Sequence, residues 1–377
     1  MRLYTCRIFF VIVLFSSLGI VFQGFSQNVK FIAANVSYFD YSGRINQVNP
    51  KMPEFYWPGT SVEMRFRGSS FLNVLMEDEK GKNYFNVILN GNTLKPVVLH
   101  CHKGKGKYQV LKGLNPGQTY RVIIFKRTET DEGYTKFAGV ELSPNAQLML
   151  IKRKKRRKIE FYGNSITAGM GNEDLSGRKN TNPAYKNNYL SYSAITAREL
   201  GMEYRCIAKS GIGVMVSWYD MIMPEMYDRL NPEKADSRYD FTDWTPDIVV
   251  VNLFQNDSWL VNMPGNPNYK KRFAKGKPQP RQIVQAYVNF IRSLRKVYPE
   301  THIVCALGAM NAVQYGKPWK GYITQAVNQM KQRDGDQKLH TVFFAYNNRR
   351  LGHPVVADHR KMAKQLKKYI QEKILKR

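Results

Sequence analysis

The sequence predicts an α/β protein in which a small β-sandwich precedes a domain built on a parallel sheet. In the first part, short runs of alternating apolar and polar residues are separated by turn signals. After residue 159, continuous apolar strands alternate with segments of helical spacing. A chain of 377 residues is also too long for one ordinary hydrophobic core. We therefore predict a β-sandwich domain over 27–150, a basic linker over 151–158 and an α/β domain over 159–377.

The first 26 residues have the pattern of a secretory signal peptide. Arg2 and Arg7 flank its start, and the run 8–20 is almost wholly apolar. Gly24 and Ser26 supply small residues before a cleavage point. Because the apolar run is shorter than the roughly 20 residues that span a bilayer, a signal peptide is favoured over a membrane anchor. We predict cleavage near Ser26, a secreted or periplasmic product, and no integral membrane segment after it.

The net charge is strongly positive, at +29 with neutral histidines. Such an excess favours association with polyanions, including acidic glycans, lipopolysaccharide and nucleic acid. The densest basic run, 152–158, is interpreted as a solvated junction between domains, because export removes the case for a nuclear signal. A nucleic-acid partner would rest on charge alone, so none is predicted.

The cysteines indicate neither a disulfide framework nor a metal site. Cys101, Cys206 and Cys305 are the three outside the predicted signal peptide, an odd and small number. The last two lie in strand-like runs and are interpreted as small buried hydrophobic residues. No group of Cys, His and carboxylates has metal-ligand spacing, so we predict no metal and no cofactor.

The sandwich is predicted from runs in which apolar and polar residues alternate, as they do in half-buried antiparallel strands. Clear examples are Ser61–Arg67, Tyr84–Leu89 and 120–125. Turn signals such as Pro58-Gly59 separate these runs. Several short strands with turns between them are typical of a β-sandwich.

The α/β domain is predicted from apolar strands that alternate with amphipathic helices. Continuous apolar strands indicate a parallel sheet covered on both faces. The strands are expected at 159–163, 204–208, 247–253, His302–Leu307 and 341–344. The helices are expected at 189–200, 281–297, 321–331 and 355–375.

Four polar or small residues follow strands of this predicted sheet. Ser165 stands in a small-residue turn after the first strand, where a serine is well held yet reachable. Gly211 follows the second strand, Asn256 the third and His353 the last. Because sites of parallel sheets lie at the carboxyl ends of the strands, these residues are expected to converge. Alone, three of them have a plainer interpretation: helix capping by Ser165, and a turn at Gly211 and at Asn256.

The order Ser, Gly, Asn, His, each after a strand, resembles that of the SGNH (GDSL-type) hydrolases. The resemblance implies an SGNH-type three-layer α/β/α domain. In the first domain, residues 56–70 and 125–129 resemble jelly-roll segments of the second carbohydrate-esterase family, whose members join a small β-sandwich to an SGNH domain. The resemblance covers essentially the whole chain after the signal peptide. It implies an acetylxylan esterase-like enzyme that deacetylates polysaccharides such as xylan and glucomannan.

Residue by residue, the resemblance implies that Ser165 attacks an ester carbonyl after His353 takes its proton. It also implies an oxyanion hole made by the backbone N–H groups of Ser165 and Gly211 and the side-chain amide of Asn256. His353 is preferred to His359 because it precedes Pro354 at the entrance to the last helix, as the catalytic histidine of these families does.

The sequence departs from the family pattern around these residues. No acidic residue lies in 348–352, directly before His353. The chain is therefore expected either to use a Ser-His dyad oriented by a backbone carbonyl or to take a carboxylate from elsewhere. Asp358 is too far along the predicted helix to be assigned. Phe254 stands where small residues are usual before Asn256, and we predict that it narrows the pocket.

Aromatic residues near the site are candidates for sugar contacts. Trp259 follows Asn256, and Trp218 follows Gly211, so both are expected in loops at the rim. With Phe254 they form the predicted set of substrate-binding residues. Aromatic residues are more often core than binding platforms, and that interpretation stays open here.

The function predicted from the sequence is a secreted carbohydrate O-acetyl esterase acting on an acetylated polysaccharide or oligosaccharide. One alternative is an esterase on another acyl ester, either a lipid or an acetylated bacterial or acidic glycan. A second alternative is a carbohydrate-binding protein with weak catalysis, suggested by the missing acidic residue and by Phe254. The presence of Ser165, Gly211, Asn256 and His353 favours an enzyme.

Overall fold

A computed structural model of the chain describes residues 28–152, 155–348 and 351–376. The predicted signal peptide and its cleavage point lie outside these residues. The predicted basic linker is described in part. Within the described ranges, no helix is both long and apolar enough to cross a bilayer.

The first part is a sandwich of two antiparallel sheets. One sheet has the order β3-β4-β11-β6-β9 with β1 on β11, and the other has the order β12-β5-β10-β7-β8 with β2 on β5. Their apolar faces enclose one core that includes Phe66, Val74 and Ile124. In chain order these strands are β1 (Lys30–Ala33), β2 (Asp40–Ser42), β3 (Ile45–Asn46), β4 (Glu54–Phe55), β5 (Ser61–Arg67), β6 (Phe71–Asp78), β7 (Tyr84–Leu89), β8 (Val97–His100), β9 (Gly104–Lys112), β10 (Thr119–Lys126), β11 (Thr135–Leu142) and β12 (Gln147–Met149).

The second part contains a parallel sheet whose five described strands have the order β14-β13-β15-β16-β17. Every pairing in this sheet is parallel, because helices provide the connections. The strands are β13 (Lys158–Gly163), β14 (Glu203–Ala208), β15 (Ile248–Asn252), β16 (His302–Leu307) and β17 (Leu339–Phe343). The helices are α1 (Ser165–Ala168), α2 (Tyr192–Glu199), α3 (Met223–Met226), α4 (Gln255–Leu260), α5 (Pro267–Arg272), α6 (Pro280–Val297), α7 (Trp319–Arg333) and α8 (Val356–Lys373).

Helices cover both faces of this sheet, because successive strand residues point to opposite sides. Val249 and Val251 pack in one core with α6 and α7. Ile248 and Val250 pack in another core with α2 and α8. This gives the predicted three-layer α/β/α arrangement after a β-sandwich, so the predicted fold class is confirmed. Cys206 and Cys305 are buried in these strands, as predicted.

The sandwich packs directly against the α/β domain through apolar and polar contacts. Phe125 of β10 lies edge-on to Tyr189, with ring centroids 5.0 Å apart. Trp57 Nε1 donates a 2.8 Å hydrogen bond to the carbonyl of Leu230. The segment that follows β10, 127–132, crosses to the loops at the carboxyl edge of the parallel sheet. The two parts therefore share a buried junction, and one end of it lies at the site.

Candidate active site

Ser165 is the first residue of α1 and follows β13 after one turn residue. The side chain of Asn164 caps α1 by accepting a 3.0 Å hydrogen bond from the N–H of Ile166. A Cβ atom on Gly163 would lie 2.0 Å from Thr167 Oγ1, so only glycine permits so close an approach of helix and strand. Ser165 is thereby held at the carboxyl edge of the sheet, with its hydroxyl directed at His353.

His353 lies within hydrogen-bond distance of Ser165, with 2.9 Å between its Nε2 and the serine Oγ. Its backbone N–H donates a 2.9 Å hydrogen bond to Asn180 Oδ1. The loops of Gly177 and Gly352 touch each other: a Cβ on Gly352 would be 2.6 Å from the Cα of Gly177. These contacts fix the loop that presents the imidazole. His359, the alternative considered from the sequence, is fully buried instead and accepts a hydrogen bond from the N–H of Tyr192.

The electrostatic environment keeps the imidazole of His353 neutral. Burial lowers its pKa to about 4, with Lys186 acting in the same direction and Glu129 in the opposite one. A neutral imidazole near pH 7 can accept the proton of a serine hydroxyl. The pair therefore has both the distance and the protonation state that general-base catalysis needs.

No carboxylate of the described residues orients this imidazole. His353 Nδ1 is buried and has no hydrogen-bond partner within the described part of the chain. Asp358, the nearest acidic residue after it in sequence, instead accepts a 3.0 Å hydrogen bond from the N–H of Val355 and caps α8. Two arrangements were predicted, with a carboxylate or a backbone carbonyl on Nδ1, and neither is found within residues 28–152, 155–348 and 351–376.

Gly211 lies in the loop after β14, and Asn256 lies in the first turn of α4, the helix that follows β15. Gly211 adopts φ +82°, which favours glycine, and its N–H has no acceptor among the described residues. Asn256 Nδ2 donates a 2.7 Å hydrogen bond to the carbonyl of Ile212, and its Oδ1 accepts one from Trp218 Nε1 at 3.2 Å. An amide nitrogen has two hydrogens, so this orientation leaves one to donate to a ligand. Ser165, as the first residue of a helix, offers a further N–H without an intrahelical acceptor.

Asp257 joins the loop that follows β14 to α4. This fully buried carboxylate accepts hydrogen bonds from the N–H groups of Val214, Met215 and Val216, at distances of 2.7 to 3.2 Å. Burial raises its pKa to about 6, while these N–H groups act against that rise. The loop beyond Gly211 is thus tied to α4, the helix that carries Asn256.

Glu129, a residue of the sandwich, binds the loop that carries Gly211, and the sequence alone assigned it no role. Its Oε2 accepts a 2.6 Å hydrogen bond from the N–H of Ser210, and its Oε1 accepts one from Ser210 Oγ at 2.7 Å. Lys186 donates to the same Oε1 at 2.9 Å and to Glu132 at 2.7 Å. Burial opposes ionisation, but Lys186 and Ser210 hold the pKa of Glu129 below its usual range. The only sequence feature that points to Glu129 is the resemblance of residues 125–129 to the esterase family, and that resemblance assigns Glu129 no function.

The three aromatic candidates occupy different positions. Trp218 is 45% exposed and contacts Asn256, which places it at the site. Trp259 is partly buried on α4 and lines a neighbouring cleft. Phe254 is fully buried, with its ring centroid 4.8 Å from that of Tyr287 and 5.1 Å from that of Trp319. The prediction that Phe254 contacts substrate is therefore wrong: the residue adopts φ +76° before α4 and its ring packs into the core.

Within the described residues, no three His, Cys, Asp or Glu side chains form a group that could hold a metal ion. The groups that the structure does bring together are a serine, an imidazole and several N–H donors. This arrangement can stabilise the oxyanion that forms when a serine attacks an ester. With the three-layer fold and the order Ser165, Gly211, Asn256, His353, it defines a protein of the SGNH hydrolase class.

Comparison with known proteins gives the family. Residues 41–151 match the family described as Carbohydrate esterase 2 N-terminal. A solved family two carbohydrate esterase from Clostridium thermocellum, in complex with cellohexaose, is 31% identical; the match covers 89% of this chain and 99% of that one, with a TM-score of 0.76. The chain belongs to carbohydrate esterase family 2.

Two curated relatives agree with this assignment. Cellulase/esterase CelE of Acetivibrio thermocellus is 32% identical over 341 residues, which are 89% of this chain and 39% of that protein. An acetylxylan esterase / glucomannan deacetylase of Cellvibrio japonicus is 29% identical over 245 residues, 64% of each chain. The chain thus spans less than two thirds of the length of either relative.

Proposed function

We propose that this protein is a secreted carbohydrate O-acetyl esterase that removes acetyl groups from a polysaccharide of the xylan or glucomannan type. The observation that carries the proposal is the 2.9 Å contact between Ser165 Oγ and the neutral imidazole of His353, beside the donors of Gly211 and Asn256. Family membership and the names of the relatives support a carbohydrate ester as the substrate. Secretion is inferred from the N-terminal sequence pattern.

The reaction has two halves. In the first, His353 Nε2 takes the Ser165 hydroxyl proton while Oγ bonds to the acetyl carbonyl carbon, and the oxyanion accepts hydrogen bonds from Ser165, Gly211 and Asn256. The carbon–oxygen bond to the sugar then breaks, and the sugar oxygen receives the proton from His353. In the second half, His353 removes a proton from water, the hydroxide attacks the acetyl-enzyme, and Ser165 leaves with that proton as acetate is released.

The test is acetate release from acetylated xylan, acetylated glucomannan and a chromogenic acetate ester. The parent protein should release acetate from at least one polysaccharide, and Ser165→Ala should abolish release from all substrates. Ser293→Ala is the matched control, because this serine lies on α6, where its hydroxyl contacts the carbonyl of Asn289 and the side chain of Tyr227, and neither of these residues belongs to the site. Full activity in Ser165→Ala would overturn the mechanism, and absence of acetate release by the parent from every substrate would overturn the proposed activity.

A further inference from the structure

A cleft with a volume of about 620 Å³ lies beside the oxyanion helix α4. It is formed by the loops that follow β15 and β16 and by the starts of α6 and α7. This volume is in the range of sites that bind small molecules or single units of a longer ligand. The side chains that give the cleft its chemistry are Trp259, Asn262, Lys277, Asn311, Lys317 and Tyr322.

The cleft is connected to the candidate active site through α4. Trp259 follows Asn256 by three residues, which is about 4.5 Å along a helix axis. Gln255 Nε2 donates a 2.7 Å hydrogen bond to Asn311 Oδ1, and Gln255 Oε1 accepts one from the N–H of Ala312 at 3.2 Å. The helix that presents the oxyanion donor is therefore held to the wall of the cleft. The residue that follows Asn256 by three positions on α4 thus lines the cleft, so the cleft adjoins the site along this helix.

The lining combines aromatic, amide and cationic side chains. Trp259 and Tyr322 offer apolar ring surfaces, on which the apolar faces of a sugar ring can pack. Asn311 offers its amide NH2 group to sugar hydroxyls, since only its oxygen is bound by Gln255, and Asn262 keeps one amide hydrogen beside its bond to the carbonyl of Ser258. Lys277 and Lys317 add two positive charges, and none of the described lining residues is acidic.

Lys277 and Lys317 differ in their ion pairing from the lysines that line a cavity on the sandwich. There, Lys107 is paired with Glu141 at 2.9 Å and Lys136 with Glu77 at 3.5 Å. In the cleft beside α4, neither lysine forms an ion pair with any carboxylate of the described residues. Lys277 Nζ donates instead to Asn262 Oδ1, at 2.6 Å. The positive charge of the cleft is thus available to a ligand.

We propose that this cleft binds an anionic sugar unit of the polysaccharide, carrying a carboxylate or a sulfate ester, next to the acetylated unit at Ser165. The inference rests on the proposed function and adds a preference for charged glycans. Lysine recognises such groups as a point charge, which suits either anion. The strongly positive net charge of the chain acts in the same direction by attracting polyanions.

The experiment compares three acetylated xylo-oligosaccharides of equal length: neutral, with a glucuronic acid branch, and with a sulfate ester. For the parent protein, KM for at least one anionic substrate should be about fivefold lower than for the neutral one at low ionic strength. The difference in KM between the anionic and the neutral substrates should shrink in about 0.5 M salt, because dissolved ions screen exposed charges. Which anion is preferred identifies the natural group.

The variants are Lys277→Gln and Lys317→Gln, singly and together. The double variant should raise KM for the anionic substrate to the neutral value, with kcat for a chromogenic acetate ester unchanged. Lys275→Gln is the matched control, because Lys275 is exposed, lies two residues before Lys277 and is outside the cleft. Trp259→Ala should raise KM for all three oligosaccharides by a similar factor, because its ring can pack on a sugar whatever the charge of that sugar.

Equal KM values for the three oligosaccharides in the parent protein would overturn the inference. So would an anionic preference that survives in the double lysine variant. Failure of the proposed function gives a different result, namely no acetate from the oligosaccharides or from the chromogenic ester. A variant that has not folded is recognised because it also loses the chromogenic activity.

Discussion

Glu160 and Glu129 are both buried carboxylates that meet a cation across the junction between the sandwich and the α/β domain, but their other partners differ. Glu160, on β13, accepts a 3.1 Å hydrogen bond from Arg44 and 2.8 Å bonds from the hydroxyls of Tyr162 and Tyr298. Glu129, in the sandwich, is held by Lys186 and binds Ser210 beside Gly211, a proposed oxyanion donor. Glu160 therefore lies within the core, whereas Glu129 binds the residue that directly precedes Gly211.

The partners indicate what each cluster does. Arg44 also donates to the carbonyl of Tyr227 at 2.5 Å, and its guanidinium lies 4.3 Å from the ring centroid of Tyr239. None of these residues belongs to the candidate site. We infer that the Arg44 cluster stabilises the junction, whereas the Glu129 cluster also positions an oxyanion donor. Stability and turnover should therefore respond separately to changes in the two clusters.

The largest effect is expected from Arg44→Met. Removing one partner of a fully buried pair leaves Glu160 without its cation, and such losses cost about 3–5 kcal/mol of unfolding free energy. Denaturant unfolding measures this change. Arg292→Met is the control, because its pair with Asp334 is exposed and should contribute under about 1 kcal/mol. A fall in kcat of the folded Arg44 variant would contradict the separation of the two clusters.

Asn256→Ala sets the scale for losing one oxyanion donor. In acyl-transfer enzymes such a loss lowers kcat by about 10²–10³, or about 2.7–4 kcal/mol in the activation barrier. We expect the same range here, with little change in KM, measured on a chromogenic acetate ester. Thermal unfolding of the same sample checks that the fold is intact. A kcat within a factor of two of the parent would remove Asn256 from the oxyanion hole.

Glu129→Gln should lower kcat by about tenfold, equivalent to about 1.4 kcal/mol. Ser210 donates to both oxygens of Glu129, whereas glutamine has one neutral acceptor oxygen and an NH2 group that only donates, so the loop of Gly211 is held less firmly. Glu132→Gln is a close control, because Glu132 also binds Lys186 but has no contact with Ser210. Equal loss of kcat in both variants would show that the ion cluster, and not the bond to Ser210, is responsible.

The smallest effect is expected in the pH profile. A general base works only when neutral, so activity should fall as the pH drops through the pKa of His353, near 4 rather than near 6.5. Because Glu129 raises that pKa, Glu129→Gln should move the acid limb of kcat/KM to lower pH. Glu160→Gln should leave the limb in place. A limb that moves upward in the Glu129 variant would contradict this electrostatic assignment.

The sequence predicted the strands and the convergence of Ser165 and His353 because both depend on local signals. A parallel sheet places its carboxyl ends together, so order along the chain was enough. Phe254 was misplaced because a sequence pattern does not show a left-handed backbone, and this conformation turns the ring into the core. Glu129 was missed because its contact with Ser210 joins residues 81 positions apart in different domains. The cleft likewise combines Lys277 and Lys317 from separate loops.

The segment 127–132 also bears on how this protein could be divided or recombined. It belongs to the sandwich in sequence, yet Arg127 donates to the carbonyl of Lys186, and Glu129 lies against Ser210. A chimera joined within the predicted linker 151–158 would therefore exchange Glu129, which binds the loop of Gly211, together with the sandwich. The smallest unit that can be transplanted intact is thus the pair of domains, and sequence changes at residues 129, 186 and 210 are expected to arise together during evolution.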